Sequence, residues 1–362
     1  MHSFSKQICN WCCFFLWFIL FTGHPYAQTV SGPIDLPPDV ADPKNLTALP
    51  AQQQNPKRFS KFELDMALNV GIRYDQLLWN TAGASHHPNI LSELEWSNVL
   101  SHQISLNARS LIVQRIYIHS YFDYAWIDSG EMRDSDYSSN DRAGEWSRSI
   151  SQTEGDQVWD GSMGCGYAFQ FKDKKWLIAP LIGVSVHKQN FRITDGRQVI
   201  SKTPPANFND PPNVGSLSSD LNSMYRTQWT SHWIGYDLRY QVIPDPGQKP
   251  TMVFRFSMFY HLWADYHGQA EWNLRNDLAH PISFEHDADA TGLSVQFEWS
   301  IGLSRNLHFN FNVDYKNWTT ETGKVTTYVI DETDGSVDKQ HGRLNEVKWQ
   351  GYSAGIGLNY SF

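Results

Sequence analysis

The chain is short of cysteine, of net positive charge and of long apolar runs, and each shortage excludes a class of protein. Only four cysteines occur in 362 residues, and Cys9, Cys12 and Cys13 crowd into the N-terminal segment. That segment, with Lys6 followed by WCCFFLWFIL and FTGHPYAQ, reads as a secretory signal cleaved after Ala27. Its apolar block is shorter than the ~20 residues that a spanning helix needs. The mature chain then keeps Cys165 alone, so neither an internal disulfide nor a cysteine-based zinc site is expected. A formal net charge of -9 offers no basic face to nucleic acid, so none is expected as a partner. A mean hydropathy of -0.47 excludes a bundle of membrane-spanning helices. It does not exclude a membrane β-barrel, whose strands alternate apolar with polar residues and average as hydrophilic.

What the chain has in plenty is aromatic. Its 15 Trp, 16 Tyr and 20 Phe suit the girdles that barrels carry at both membrane interfaces. The last residues, GYSAGIGLNYSF, set Tyr352, Ala354, Ile356, Leu358, Tyr360 and Phe362 on one face. Small and polar residues hold the other. A strand of this kind ending in a terminal Phe resembles the last strand of bacterial outer-membrane barrels; an ordinary sandwich strand is the alternative. Residues 28–61, rich in Pro and Gln, read as a flexible extension.

From Phe62 onward, alternating runs predict an all-β fold, a ten-stranded antiparallel transmembrane β-barrel over 62–362. The runs are 62–79, 90–101, 103–127, 158–172, 175–192, 224–243, 250–267, 285–303, 305–321 and 345–362. Short connections at Ser101-His102, Asp173-Lys174, 244–249 and Ser304-Arg305 alternate with long ones around 80–89, 128–157, 193–223, 268–284 and 322–344. Short periplasmic turns and long extracellular loops give this rhythm. Several runs exceed the ~10 residues of a membrane strand, so the barrel should extend beyond the membrane on the extracellular side. The expected location is the outer membrane, in contact with its lipid.

Unbroken alternation in the run 250–267 puts Met252, Phe254, Phe256, Met258, Tyr260, Leu262 and Ala264 on the lipid face. Arg255, Ser257, His261, Asp265 and His267 then face the lumen, with the last two at its extracellular end. The stretch 128–157 carries Asp134 and Asp136 to the same rim. A carboxylate beside an imidazole orients it and stabilises its protonated form, so the pair can take a proton from water. Two close carboxylates raise one another's proton affinity, which suits a shared proton. Such a site activates water without a Ser or Cys nucleophile. Solvated rim acids are the plain alternative. The acidic run EHDADA (285–290) lacks calcium-loop spacing, so no metal is expected.

The runs SELEW (92–96), DSDYSSNDRAGEW (134–146), YRTQWTSHWIGYDLRY (225–240), DYH (265–267) and GIGLNYSF together resemble the omptins. These are ten-stranded outer-membrane proteases whose loop carries an Asp-x-Asp and whose later strand carries an Asp-x-His. The resemblance spans nearly the whole mature chain at low identity. It implies an endopeptidase acting on an extracellular peptide or protein. Asp134 and Asp136 would be the aspartate pair, Asp265 and His267 the dyad, and a water between them the nucleophile. The acidic pocket by which omptins select basic residues is altered. Trp263 stands two residues before Asp265, and Trp79 falls near the end of the first strand, with Asp75 close by. Trp79 and Trp263 then form an apolar substrate pocket, or else belong to the interface girdle. Omptins also resemble one another in needing lipopolysaccharide. VSVHKQNFRI (184–193) departs from their pattern, so that dependence stays open, with Lys188, Arg192 and Arg226 as candidate phosphate contacts. No other cofactor is expected. The alternative function is a non-catalytic outer-membrane barrel, a porin or surface adhesin sharing the omptin fold. The narrow interior of a ten-strand barrel counts against a general porin.

Overall fold

Alternation gives each strand one lipid-facing and one inward side, and a sheet built from such strands satisfies its backbone by closing on itself. The computed structural model describes residues 62–362 apart from 173, 207, 244–249 and 332. The signal at 1–27 and the extension at 28–61 lie outside the described residues. In chain order the strands are β1 (Phe62–Thr81), β2 (Ser92–Ile112), β3 (Ile116–Ser139), β4 (Ala143–Gln152), β5 (Gln157–Tyr167), β6 (Phe169–Phe171) and β7 (Trp176–Ser201). They continue with β8 (Gly215–Ser216), β9 (Ser223–Val242), β10 (Met252–Glu271), β11 (Phe284–Gly302), β12 (Leu307–Thr320), β13 (Gly323–Ile330) and β14 (Val337–Ser361). The pair β4/β5 forms one interrupted strand of the wall, as does β12/β13, while β6 and β8 are short additions to β7. Ten antiparallel strands thus make the ring, and β1 closes it on β14 from Asp65↔Ser361 to Thr81↔Leu344.

Two expectations about connections need correction. Ser101 and His102 are not a turn: they ladder with Arg73 and Ile72 of β1, and β2 runs on to Ile112. The chain reverses at Val113–Arg115 instead, where Val113 and Gln114 take φ of 50° and 58°. Those are the angles of a two-residue hairpin turn, here without the Gly or Asn that usually advertises one. Of the predicted long loops, 128–157 and 322–344 are largely strand, while 80–89, 193–223 and 268–284 are strand mainly where they leave the wall. β3 reaches Ser139 and β4 starts at Ala143, while β7 continues to Ser201 and β10 to Glu271. Ladder hydrogen bonds do not require an apolar face, so pairing continues on polar side chains after the lipid ends. The 26 residues of β7 reach roughly 85 Å along the strand at ~3.3 Å per residue, well beyond an apolar band ~25 Å tall.

The outer wall shows where that band lies. Val70 pairs with Ile104 and Ile356, Leu68 with Leu106 and Leu358, and Ile182 with Ile234, all exposed. They ring the half of the barrel nearest the short turns.

Inside, two kinds of filling follow one another. Toward the short-turn end and across the middle, buried charges meet in ion pairs. Arg109 meets Glu298 at 2.9 Å, Arg255 meets Asp65 at 2.9 Å, and Arg73 meets Asp75 and Asp160 at 2.7 and 2.6 Å. Lys316 lies 3.0 Å from Asp123 and also bonds Asp160. Removing one member of such a buried pair strands its partner's charge at a cost of about 3–5 kcal/mol. Toward the extracellular end the filling turns aromatic, with Trp96, Trp229, Trp318 and Trp349 each fully buried.

Candidate functional site

β10 carries the predicted dyad, and its alternation holds only through His261. Val253, Arg255, Ser257, Phe259 and His261 are all buried toward the lumen. Beyond them the register slips. Three steps from His261 to Ala264 match only two on β11, from Gly292 to Ala290. Two steps from His261 to Trp263 match one on β9, from Trp233 to His232. One extra residue in one strand is a β-bulge, and it turns every later side chain to the opposite face. Above it Ala264, Tyr266 and Ala270 are buried, whereas Trp263 is 71% exposed. Asp265 and His267 therefore project from the outer wall, which corrects the lumen placement drawn from unbroken alternation. The slip fits the neighbourhood: it admits Tyr266 to the aromatic interior and spares the polar side chain of Asp265 from burial there.

Outside, His267 Nδ1 lies 2.8 Å from Oδ1 of Asp287, its directly opposite neighbour on β11. Its Nε2 is 3.9 Å from Glu285, and Asp265 stands opposite Asp289. Trp263 is likewise on the outer wall rather than in a lumen pocket. It is level with Val184 of the apolar band through His232, the position of an interface aromatic.

β3 slips as well, with the opposite consequence. Its lower part buries Tyr117, His119, Tyr121 and Asp123, so that continued alternation would turn Asp134 and Asp136 outward. Between Ser101↔Ile127 and Ser97↔Glu131 the ladder with β2 is irregular. Above that point Met132 is opposite Trp96, Asp134 opposite Leu94 and Asp136 opposite Ser92. Met132, Trp96 and Leu94 belong to the buried interior, so the aspartates share its face. Asp136 accepts hydrogen bonds from the hydroxyls of Ser92 and Ser147, and burial pushes its carboxyl up to about 6. Burial, joined by the charge of Asp136, raises Asp134 well above the usual carboxylate range. Its buried Oδ1 has no hydrogen-bond partner. The cation acting on both is Arg275, in the segment after β10, held by Asp277 at 2.7 and 2.6 Å.

Trp79 does face inward, where it packs edge-on against His286 with ring centroids 4.7 Å apart and against Phe284 at 5.6 Å. Around it, Trp96 stacks on Tyr225 at 5.1 Å, and Trp229 meets Tyr266 at 4.4 Å. The hydroxyls of Tyr225 and Tyr266 bond at 2.5 Å, and the Tyr225 oxygen is 2.8 Å from His286 Nδ1. Burial pushes the His286 imidazole down to about 3, so it is neutral at physiological pH. Sequence reasoning missed this Tyr–Tyr–His network. The alternate spacing of Tyr225, Thr227 and Trp229 in β9 was its available signal.

Lys188, Arg192 and Arg226 stand on the outer wall above the band, on the neighbouring strands β7 and β9. Lys188 Nζ lies 5.4 Å over the ring of Trp159. Arg192 donates to Asn222 at 2.9 Å, and Arg226 is 3.7 Å from Glu271. At the rim farthest from the short turns a polar pocket of about 300 Å³ is lined by Asn80, Asn89, Ile90, Arg142, Asn345 and Glu346. The structure thus brings Asp134 to Asp136 and His267 to Asp287, but it sets the two predicted pairs on opposite sides of the wall.

The fold is similar to that of the outer membrane protease OmpT from Escherichia coli. The match has a TM-score of 0.65 at 13% identity, covering 83% of this chain and 97% of that one. At that identity the likeness is one of fold alone. The outer membrane protein OprG from Pseudomonas aeruginosa (TM-score 0.28, 10% identity, 83% and 95% covered) aligns far more loosely. So does Ail, the attachment invasion locus protein of Yersinia pestis (TM-score 0.25, 7% identity, 82% and 98% covered). No curated protein matches the chain. The family model Pom, Protochlamydia outer membrane protein, matches residues 67–362, which takes in the barrel from its first strand to its last residue. The chain belongs to this family of outer-membrane proteins.

Proposed function

We propose that this outer-membrane barrel is non-catalytic and presents a binding surface above the lipid. One observation carries the reading. Where the omptin resemblance implies a water held between the two pairs, Trp79, Trp96, Tyr225, Trp229 and Tyr266 fill the interior, while Asp265 and His267 project from the outer wall. A hydrolytic water held by both pairs needs all four side chains within reach of it. The charged layer below the aromatic one also argues against a porin, because paired side chains take the space that solutes would cross. On this reading Lys188, Arg192 and Arg226, beside Trp159, take lipid phosphate, so that lipopolysaccharide steadies the barrel rather than switching on a catalyst.

A second reading, an aspartate- and histidine-dependent endopeptidase, is favoured by the aspartate pair itself. Both carboxyls face inward with raised proton affinity, as a pair sharing a proton over a water does. It requires β10 to take the other register above His261.

The test is to incubate the refolded barrel with a mixed peptide library, with and without lipopolysaccharide, alongside His267→Ala. Planar-bilayer conductance is recorded in parallel. Intact peptides and a silent bilayer are expected. Cleavage that His267→Ala abolishes would transfer the assignment to the endopeptidase, and steady conductance would transfer it to a porin.

A further inference from the structure

Above the ring, β13 and the first residues of β14 form a two-stranded ribbon, paired from Gly323↔Leu344 up to Ile330↔Val337. Its two edges differ. On the β13 side the lower residues ladder with β11, from Asp287↔Lys324 to Phe284↔Thr327. The upper ones are covered by the segment after β10. Tyr328 donates to Ser283 and Ile330 to Asp277, both at 2.9 Å, and Leu278 bridges Val329. On the β14 side, pairing with β1 stops at Thr81↔Leu344, and beyond it Ala82 donates to the carbonyl of Arg343 at 3.0 Å. Val337, Asp338, Lys339, Gln340, His341 and Gly342 are all exposed, and among the described residues no strand pairs with them on that side. Proteins usually cover or shorten such an edge, because it is a template for another strand. Here one edge of the ribbon is covered and the other is bare.

The side chains along the bare edge select among partners. Val337, Lys339, His341 and Arg343 share one face. Lys324 stands opposite Arg343, and Lys339 Nζ lies 5.2 Å over the ring of Tyr328. The nearest carboxylates on that face, Glu285 and Asp287, lie beyond β13 from the edge, and Glu285 is already bonded by the Tyr328 hydroxyl. In a chain of net charge -9 this is a local cationic face. A second copy fits poorly. Antiparallel self-pairing that keeps the faces aligned sets only Val, Lys, His and Arg against one another, and like charges directly opposite repel. At the foot of the edge lies the 300 Å³ rim pocket, which two β14 residues just below it, Asn345 and Glu346, help to line. Arg142 stands across the pocket, already partnered by Glu93.

We propose that the bare edge Val337–Gly342 captures an extended acidic peptide segment of a partner protein as an added strand, whose end enters the pocket bearing Arg142. Main-chain hydrogen bonds supply the attachment, and alternate acidic side chains over Lys339, His341 and Arg343 supply the selection. The inference rests on the reading of the barrel as a binding platform and names its class of partner.

The experiment uses the refolded full-length barrel in detergent. The probe is a fluorescent peptide of about eight residues, the length of an ordinary strand, alternating Glu with Thr and Val. Two controls accompany it, one with Lys for Glu and one N-methylated at alternate amides. The expected result is saturable binding of the acidic peptide, weaker by about tenfold for the Lys peptide and lost on N-methylation. Lys339→Glu combined with Arg343→Glu should reverse the charge preference, in a variant shown to be folded by its heat-modifiable gel mobility. Equal binding of the N-methylated peptide would mean simple charge attraction and would overturn the added strand. So would absence of binding by folded wild type, or self-association that this edge alone supports. Cleavage of the probe would instead overturn the non-catalytic reading, so the two failures are distinguishable.

Discussion

Strands β3 and β10 each slip above the lipid band, and the two slips have opposite effects. In β3 the irregular ladder turns Asp134 and Asp136 into the interior, where unbroken alternation would have left them outside. In β10 the bulge turns Asp265 and His267 out of the interior that unbroken alternation would have given them. Alternation carries a single binary fact, the face of each residue, and one extra residue inverts it for everything beyond. The comparison teaches that acidic motifs arriving at one rim need not share a side. Where each lands depends on which side chains the interior takes in: Met132 with Trp96 at one slip, Ala264 and Tyr266 at the other.

The largest effect that would test this comparison concerns tryptophans assigned to opposite faces. Trp229 is fully buried against Tyr266, Trp318 and Trp349, whereas Trp263 is 71% exposed. Trp229→Ala should destabilise the barrel by about 3–5 kcal/mol, the range for emptying a large aromatic site. Trp263→Ala should cost less than about 1 kcal/mol in detergent, where no lipid interface rewards it. Urea unfolding followed by circular dichroism reads both. Equal losses would place Trp263 inside and undo the slip in β10.

The next effect sharpens the β3 half. A carboxyl whose affinity for protons is higher folded than unfolded binds more protons in the native state, so stability falls as pH rises across the gap. For Asp136 that gap runs from 3.8 to about 6. Barrel stability should therefore decline over this window by about 1–3 kcal/mol from the pair. Asp134→Asn removes the charge that the pair cannot share comfortably. It should flatten the decline and raise stability at neutral pH by about 1 kcal/mol. Urea midpoints measured for both proteins from pH 4 to pH 7 decide it. A variant less stable than wild type at neutral pH would mean that the aspartates are solvated on the outside.

Much of this arrangement was legible beforehand. Tyr352, Ile356, Leu358 and Tyr360 face lipid as their spacing says, because a strand inside the band has one rule for its apolar face. The ring of ten strands followed from counting such runs. Legibility failed where local chemistry is silent. The turn at Val113–Arg115 carries neither Gly nor Asn, and Ser101-His102 looked polar enough to be a turn while lying inside a ladder. Nothing in HLWADYHGQAEW announces the bulge, which sets Tyr266 against Trp229 from the neighbouring strand. Trp79, expected in a substrate pocket or else in the girdle, faces inward, and its packing against Phe284 and His286 joins residues some two hundred positions apart. Paired positions, rather than single runs, decide such contacts.

The smallest expected effect is the most direct test of the slip in β10. His267 and Asp287 form an exposed pair, with 42% and 61% of their side chains accessible. Pairs of that kind contribute about 0–1 kcal/mol. His267→Ala should accordingly change stability by less than about 0.5 kcal/mol. Its neighbour Tyr266, whose buried hydroxyl bonds Tyr225, should lose about 1 kcal/mol on Tyr266→Phe. A labelling pattern gives an independent readout. In a background with Cys9, Cys12, Cys13 and Cys165 all replaced by Ser, single cysteines at positions 263, 265 and 267 should react with a water-soluble maleimide, and those at 264, 266 and 270 should not. The inverse pattern would restore Asp265 and His267 to the lumen, face to face with Asp134 and Asp136, and with them the case for hydrolysis.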